Sequence, residues 1–133
     1  NTLERKQPMT EEKQEKIMYV ATCGGEDPER ASLPFVLANG ALAMDIQAII
    51  VLQGNGVYLA QADYRRTMLP GGKFPAIDKL LSDFLALGGE LHVCMPCIKE
   101  RNIDENELPE GSKITAAGQV NLAAIEADAV LVY

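Results

Sequence analysis

The chain has 133 residues, of which 47% are hydrophobic and 23% charged, and its net charge is −7. This length suits one domain with its own core. The acidic charge argues against nucleic acid as a partner, because a phosphate backbone would be repelled. No apolar run approaches the roughly 18 residues that a membrane span needs, so we expect no membrane association.

The first segment, residues 1–15, is rich in charged side chains, and we interpret it as a flexible tail. It has no hydrophobic region of the kind found in secretory signals, which favours a cytoplasmic protein. Residues 16–133 are predicted to form a single domain.

The first predicted strand, residues 16–23, is a continuous apolar run, which is typical of a strand buried on both faces. Asp27 and Pro28 then mark the start of a helix, because aspartate caps helix N-termini and proline fits the first turn. Pro34 lies inside this helix, so we expect either a kink or a helix that begins near Ser32.

The second predicted strand, residues 46–53, is followed by the tripeptide GNG at 54–56. The next segment is harder to interpret, and we predict a short helix over 57–64 and then a loop. Arg65 and Arg66 are expected to be solvated surface charges. A clear helix follows, since its apolar residues keep the spacing of one helical face. These residues are Ile77, Leu80, Leu81, Phe84 and Leu85.

The third predicted strand, residues 90–94, ends in Cys94, and Cys97 lies three residues further along. A weaker strand over 113–118, a helix and a closing strand over 129–133 complete the chain. Apolar strands thus alternate with helices about five times, which indicates parallel pairing with helices on both faces. We predict a three-layer α/β/α sandwich around a mainly parallel sheet of about five strands.

The carboxyl ends of the strands are the expected site of chemistry, because ligands of open parallel sheets gather there. All three cysteines fall at this edge of the predicted sheet. The candidate catalytic residues are Cys94 and Cys97. The candidate substrate-binding residues are Cys23, Gly24, Gly25, Gly54, Asn55 and Pro96.

Cys94 is the candidate nucleophile, since a thiolate rather than a thiol attacks. A helical turn that begins just after it would direct free N–H groups at its sulfur. Lys99 and Arg101 add positive charge nearby. We therefore expect the pKa of the Cys94 thiol to be lowered, with Cys97 within reach for a disulfide.

Four interpretations of the cysteines remain open. They could be buried without chemistry, or Cys23, His92, Cys94 and Cys97 could bind zinc, although structural zinc sites usually need a second Cys-x-x-Cys pair. Cys94 and Cys97 could form a thiol–disulfide redox pair. The fourth interpretation, which we favour, is that Cys94 carries sulfur.

Three stretches carry a resemblance to a known family: "KIMYVATCGGEDPERA", "GGKFPAIDKLLSDFLALGGELHVCMPCIKERNI" and "AIEADAVLVY". Over residues 16–133 the chain resembles the DsrE/DsrF-like family. That resemblance implies a parallel α/β sandwich, assembly into homo-oligomers (trimers or hexamers) and a persulfide carried on Cys94. Cys97 is similar to a second cysteine of some members.

The sequence also departs from the sulfur-relay members. It has a Cys-x-Pro-Cys pair, a longer segment "YRRTMLPGG" over residues 64–72, and Asn102 where many relatives have glycine. A thiol–disulfide redox protein, or a non-enzymatic assembly subunit, is the alternative function.

We expect neither a cofactor nor a metal. Glu26 and Asp27 would repel an anion at the first helix, which argues against a nucleotide there. The expected partners are copies of the chain and proteins that donate or accept sulfur.

Overall fold

The structure, a computed structural model, describes residues 13–133, so most of the predicted tail lies outside it. The strands are β1 (Lys16–Ala21), β2 (Gln47–Leu52), β3 (Glu90–Cys94), β4 (Lys113–Thr115) and β5 (Ala129–Val132). They form one sheet in the order β4-β3-β2-β1-β5, and every neighbouring pair is parallel. Each strand falls within a run predicted from the sequence.

The helices cover both faces of this sheet. They are α1 (Pro28–Ala43), α2 (Ala62–Thr67), α3 (Ile77–Ala86), α4 (Met95–Glu100) and α5 (Ala117–Glu126). On one face α1 and α3 pack together, and Phe35 and Phe84 meet edge to face with ring centroids 6.0 Å apart. The other face buries Met18, Val20, Ile49 and Val51 beneath α5. The predicted three-layer fold is confirmed.

The first helix begins where the sequence indicated. The Asp27 carboxylate accepts a hydrogen bond from the Arg30 N–H at 3.2 Å, and Pro28 occupies the first turn. The helix runs on through Pro34, which is buried, so a start near Ser32 is wrong. Proline has no N–H, and the helix accepts the loss of one backbone bond there.

The segment after β2 differs from its prediction. A 3-10 helix spans Gly54–Ala60, and α2 follows as a separate helix, where one helix over 57–64 was expected. Close packing explains the tighter turn, because a Cβ on Gly56 would lie 2.1 Å from the Ala21 carbonyl oxygen. The first turn after β2 is therefore held against the end of β1.

Arg65 is also not the solvated charge that was expected. Its side chain is 12% exposed, its Nε lies 2.7 Å from Asp78 Oδ1, and its Nη1 donates to the Leu59 carbonyl at 2.9 Å. Arg66 is exposed as predicted and pairs with Asp63. Arg65 thus links α2 to α3 and to the 3-10 helix.

Among the helices of residues 13–133, none combines the length and the apolar character that a membrane crossing requires. The carboxyl ends of β1, β2 and β3 lead into three neighbouring loops. These loops hold residues 22–27 and 53–56 and the start of α4. Every residue predicted for the site lies in one of these segments or, in the case of Cys94, at the end of β3.

Candidate functional site

The centre of the site is a pair of sulfur atoms. Cys94 ends β3 and is the N-cap of α4, and one helical turn brings Cys97 back beside it. The two Sγ atoms lie 2.8 Å apart, both side chains are half-buried, and no disulfide joins them. A disulfide bond is about 2.05 Å long, so a small movement would close it. The predicted proximity of the two thiols is confirmed.

Pro96, between the cysteines, fits the local backbone. It lies in the first turn of α4, where a missing N–H costs no intrahelical hydrogen bond. The helix ends at Glu100, Arg101 is its C-cap, and the next residue, Asn102, has a left-handed φ of 56°. Asparagine tolerates this conformation better than most residues, which fits its position just after the helix.

Backbone amides reach both sulfurs. The Gly54 N–H, from the loop after β2, donates to Cys97 Sγ at 3.3 Å. The Cys97 N–H lies in the first turn of α4 and acts to lower the pKa of the Cys94 thiol. One helical amide therefore acts on Cys94 in the direction that was expected.

The expected lowering of the Cys94 pKa is nevertheless wrong, because the pKa is raised. Burial, which disfavours a thiolate, is the largest cause, and the Cys97 thiol adds to it. The Cys97 N–H and the charge of Arg101 act in the opposite direction but are outweighed. The sequence showed the amide and the cation, whereas burial becomes visible only in the folded structure.

Arg101 joins this site through neutral oxygen atoms. Its Nε and Nη2 donate to Asn55 Oδ1 at 3.2 and 3.1 Å, and its Nη1 donates to the Cys97 carbonyl at 3.1 Å. Its guanidinium carbon lies 5.8 Å from the centroid of the Tyr58 ring, within the range of a cation–π contact. Arg101 thereby ties the loop after β2 to α4.

Two tyrosines extend the site toward β1. Tyr58 stacks on Tyr64 with centroids 5.2 Å apart, and the Tyr64 hydroxyl accepts a hydrogen bond from the Gly25 N–H at 2.6 Å. Sequence reasoning missed both tyrosines. Their only signal was their position just after β2, and nothing in the sequence indicated that they would stack.

Gly24 and Gly25 lie against this aromatic pair, as part of the loop after β1. Beside them, a groove of about 360 Å³ is lined by Gly25, Pro28, Tyr64, Thr67, Met68 and Leu69. The Cys23 sulfur is half-buried and lies 4.0 Å from the Thr22 hydroxyl, its one hydrogen-bonding contact within residues 13–133. Cys23 thus shares the edge of the sheet with the sulfur pair but is not bonded to it.

The alternative zinc set is not assembled. Among residues 13–133, no three Cys, His, Asp or Glu side chains converge in a way that could hold a metal ion. His92 instead lies with its Nε2 3.2 Å from Glu90 Oε1, and Lys113 Nζ contacts the same oxygen at 3.2 Å. Burial acts to raise the pKa of Glu90, but these two partners outweigh it and the pKa is lowered.

Sequence comparison gives three matches. The model of the DsrE/DsrF-like family matches residues 15–133. The uncharacterized protein MJ0989 of Methanocaldococcus jannaschii is 30% identical over 118 residues, which are 89% of this chain and 99% of that protein. The uncharacterized protein MJ0760 of the same organism is 31% identical over 104 residues, 77% of this chain. That match spans 37% of MJ0760, so the chain corresponds to a part of that protein.

Solved structures share the fold. The YchN protein from E. coli superposes with a TM-score of 0.69 at 21% identity, over 90% of this chain and all of that one. MTH1491 from Methanobacterium thermoautotrophicum, a protein of unknown function, gives a TM-score of 0.69 at 14% identity, over 91% of this chain and 100% of that chain. At these identities the likeness concerns architecture.

Proposed function

Because this chain belongs to the DsrE/DsrF-like family, we propose that it relays sulfur and carries a sulfane sulfur atom as a persulfide on Cys94. The observation that supports this most is the 2.8 Å separation of the Cys94 and Cys97 sulfurs at the carboxyl edge of the sheet. Gly54 donates to Cys97, Pro96 lies between the two cysteines in α4, and Asn55 accepts from Arg101. Cys23, Gly24 and Gly25 contribute the neighbouring loop to the proposed binding site.

Loading is a displacement at sulfur. The Cys94 thiolate attacks the outer sulfur of a donor, a new S–S bond forms, and the donor's S–S bond breaks with its electron pair on the leaving group. The raised pKa of Cys94 leaves less thiolate at neutral pH, but a more basic thiolate is a better nucleophile. The higher nucleophilicity offsets part of the smaller thiolate fraction. Because the thiolate fraction grows with pH, loading should become faster as the pH rises.

Unloading can follow two routes. An acceptor thiolate can attack the terminal sulfur, which restores the Cys94 thiolate and leaves the persulfide on the acceptor. Alternatively, the Cys97 thiolate attacks Cys94 Sγ, which forms the Cys94–Cys97 disulfide and releases hydrosulfide. The second route needs an external dithiol to return the pair to the reduced state.

Mass spectrometry of the reduced protein after incubation with inorganic polysulfide tests the proposal. We expect the mass of one added sulfur atom, mapped to the peptide that contains Cys94, and its absence in Cys94→Ser. Cys23→Ser is the matched variant, because it removes a thiol of similar exposure from the same edge, and the adduct on Cys94 should persist in it. A Cys94 that stays unmodified in both the wild-type protein and Cys97→Ser, in which Cys97 cannot displace the added sulfur, would refute sulfur carriage.

A thiol–disulfide redox protein is the second candidate function. The same short distance between the Cys94 and Cys97 sulfurs favours it, because one disulfide could form with little motion. Reduction of insulin by the dithiol form is the direct assay. Turnover that is lost in both Cys94→Ser and Cys97→Ser, in a protein that takes up no sulfane sulfur, would establish this function instead.

We also propose that the chain assembles into a homo-oligomer, a trimer or a hexamer, and exchanges sulfur with donor and acceptor proteins. Large apolar side chains on α5 and β5 support self-assembly, since Leu122, Ile125 and Val132 are exposed by 64%, 80% and 66%. A reducing compartment such as the cytoplasm suits three free thiols.

A further inference from the structure

Arg101 carries a positive charge that no carboxylate neutralises within residues 13–133. Its guanidinium binds the Asn55 side-chain oxygen and the Cys97 carbonyl, both of which are uncharged. These bonds leave part of its set of N–H donors available to a ligand. The other arginines described here, Arg30, Arg65 and Arg66, each lie against an aspartate.

The position of this charge is fixed beside the sulfur pair. Arg101 is half-buried, contacts the face of Tyr58, and is bonded to the backbone of Cys97 itself. Its charge reaches Cys94 as well, since it is one of the causes that act to lower the pKa of that thiol. Its contacts with Tyr58, Asn55 and Cys97 fix the orientation of the guanidinium. A guanidinium fixed in this way can bind two oxygens of a carboxylate, phosphate or sulfonate at once.

We propose that Arg101 binds the anionic leaving group of the sulfur donor, and that the donor class is a thiosulfonate anion, with thiosulfate as the simplest member. This inference rests on the proposed sulfur carriage by Cys94. In a chain with a net charge of −7, a dianion that approaches a thiolate needs a local cation. Arg101 is the cation that the structure holds beside both sulfurs.

The corresponding step balances in atoms and charge. The Cys94 thiolate attacks the outer sulfur of thiosulfate, and the bond between the two thiosulfate sulfurs breaks. The electron pair leaves with sulfite, and the outer sulfur stays on Cys94 as a persulfide anion. No oxidant or reductant is consumed, and Arg101 stabilises the charge that develops on the departing sulfite.

The test compares two donors in the same protein. Thiosulfate has the anionic group, whereas dimethyl trisulfide offers a sulfane sulfur without charge. For each donor, peptide mass spectrometry measures the rate constant at which Cys94 gains the sulfane sulfur. With thiosulfate the product is the persulfide and sulfite leaves, and with dimethyl trisulfide the product is the methyl trisulfide of Cys94 and methanethiolate leaves. The ratio of the two constants is then compared among variants. This ratio cancels any change in the intrinsic reactivity of Cys94 that a substitution causes.

We expect Arg101→Gln to lower the ratio of thiosulfate to trisulfide rates by about 10- to 100-fold, the effect of one charged hydrogen-bonding group. Arg101→Lys should restore part of it. The matched control is Lys99→Gln, which removes an exposed cation from the last turn of α4, two residues before Arg101, and should leave the ratio unchanged. Added salt should slow thiosulfate loading of the wild-type protein more than trisulfide loading.

Three results would overturn the inference. Equal losses with both donors in Arg101→Gln would show that Arg101 only maintains the shape of the site. A wild-type protein that loads from trisulfide but not from thiosulfate would exclude the donor class while leaving sulfur carriage intact. A wild-type protein that loads from neither donor would remove the proposed function and this inference together.

Discussion

The backbones of Gly24 and Asn55 pack against each other where the loops after β1 and β2 meet. A Cβ on Gly24 would lie 2.8 Å from the Asn55 carbonyl oxygen and 2.8 Å from the Tyr64 hydroxyl. Cβ atoms do not approach oxygen so closely, so any other residue must displace a loop. The loop that would move also supplies the Gly54 N–H that reaches Cys97.

We therefore expect Gly24→Ala to lower the free energy of unfolding by about 1–3 kcal/mol, the usual cost of overpacking. Loading of Cys94 should slow as well, because the Gly54 amide moves. The control is Gly40→Ala in α1, where nothing lies within 4 Å of the new Cβ and stability should rise by about 0.5–1 kcal/mol. Urea unfolding of the wild-type protein, Gly24→Ala and Gly40→Ala measures the two changes in the free energy of unfolding. A Gly24→Ala protein as stable as the wild type would contradict the packing argument.

The raised pKa of Cys94 predicts how its reactivity depends on pH. In a Cys23→Ser background, alkylation of Cys94 by iodoacetamide should reach half its maximal rate above pH 8.5, about the ordinary pKa of a thiol. Cys97→Ala should move this midpoint to lower pH, because the Cys97 thiol raises the Cys94 pKa while the residue 97 N–H remains. Peptide mapping at each pH gives the profiles, and a midpoint unchanged by Cys97→Ala would contradict the assigned cause.

The raised pKa of Cys94 also makes the free energy of unfolding depend on pH. The folded protein holds the Cys94 proton more tightly than the unfolded chain does. The stabilisation of the folded protein by the protonated Cys94 thiol is therefore fully present below the pKa of that thiol in the unfolded chain. It is lost as the pH rises through the pKa of the thiol in the folded protein. The difference in unfolding free energy between the wild type and Cys94→Ala should accordingly become less favourable to the wild type above about pH 8.5.

The fold was predictable because its central strands, β1 and β2, are nearly continuous apolar runs. Parallel strands buried on both faces show no alternation, and β2, whose residues 49–52 pair with residues 90–93 of β3, is such a strand. The start of α1 was equally predictable, since Asp27 is the N-cap and Pro28 lies in the first turn, positions that both residue types favour. These signals are local in sequence, so the sequence alone predicts the elements that they mark.

The site was predictable only in part, for the opposite reason. Cys94 and Cys97 are three residues apart and meet through one helical turn. Arg101 and Asn55 are 46 residues apart, and their contact depends on how β2 and β3 pair. The direction in which the Cys94 pKa shifts likewise depends on the burial of its side chain. The apolar runs of the sequence do not show how deeply that side chain is buried.

Arg65 should matter more for stability than Arg66, its neighbour in sequence. Arg65→Gln leaves Asp78 without its partner and the Leu59 carbonyl without a donor, so we expect a loss of about 1–3 kcal/mol. Arg66→Gln breaks an exposed pair and should change the free energy of unfolding by less than about 0.5 kcal/mol. Urea unfolding distinguishes the two variants, and equal effects would refute the structural role of Arg65.

Self-assembly is predicted to use one apolar surface, the α5–β5 face, formed by Leu122, Ile125, Val130 and Val132. Val130 and Val132 pair with Met18 and Val20, whose side chains pack beneath α5, so the exposed valines lie on the same side of the sheet as that helix. Ile125 is exposed by 80%, and a glutamate there would place a charge in the centre of an assembled interface.

We expect the wild-type protein to elute as a trimer or hexamer in size-exclusion chromatography with light scattering, and Ile125→Glu to shift it to the monomer. Leu87→Glu is the matched control, because Leu87 is 52% exposed at the end of α3, on the other side of the sheet. That variant should keep the wild-type mass. A monomeric wild type would remove the proposal, and dissociation by Leu87→Glu alone would move the interface to the α3 side, since a buried charge destabilises whichever contact contains it.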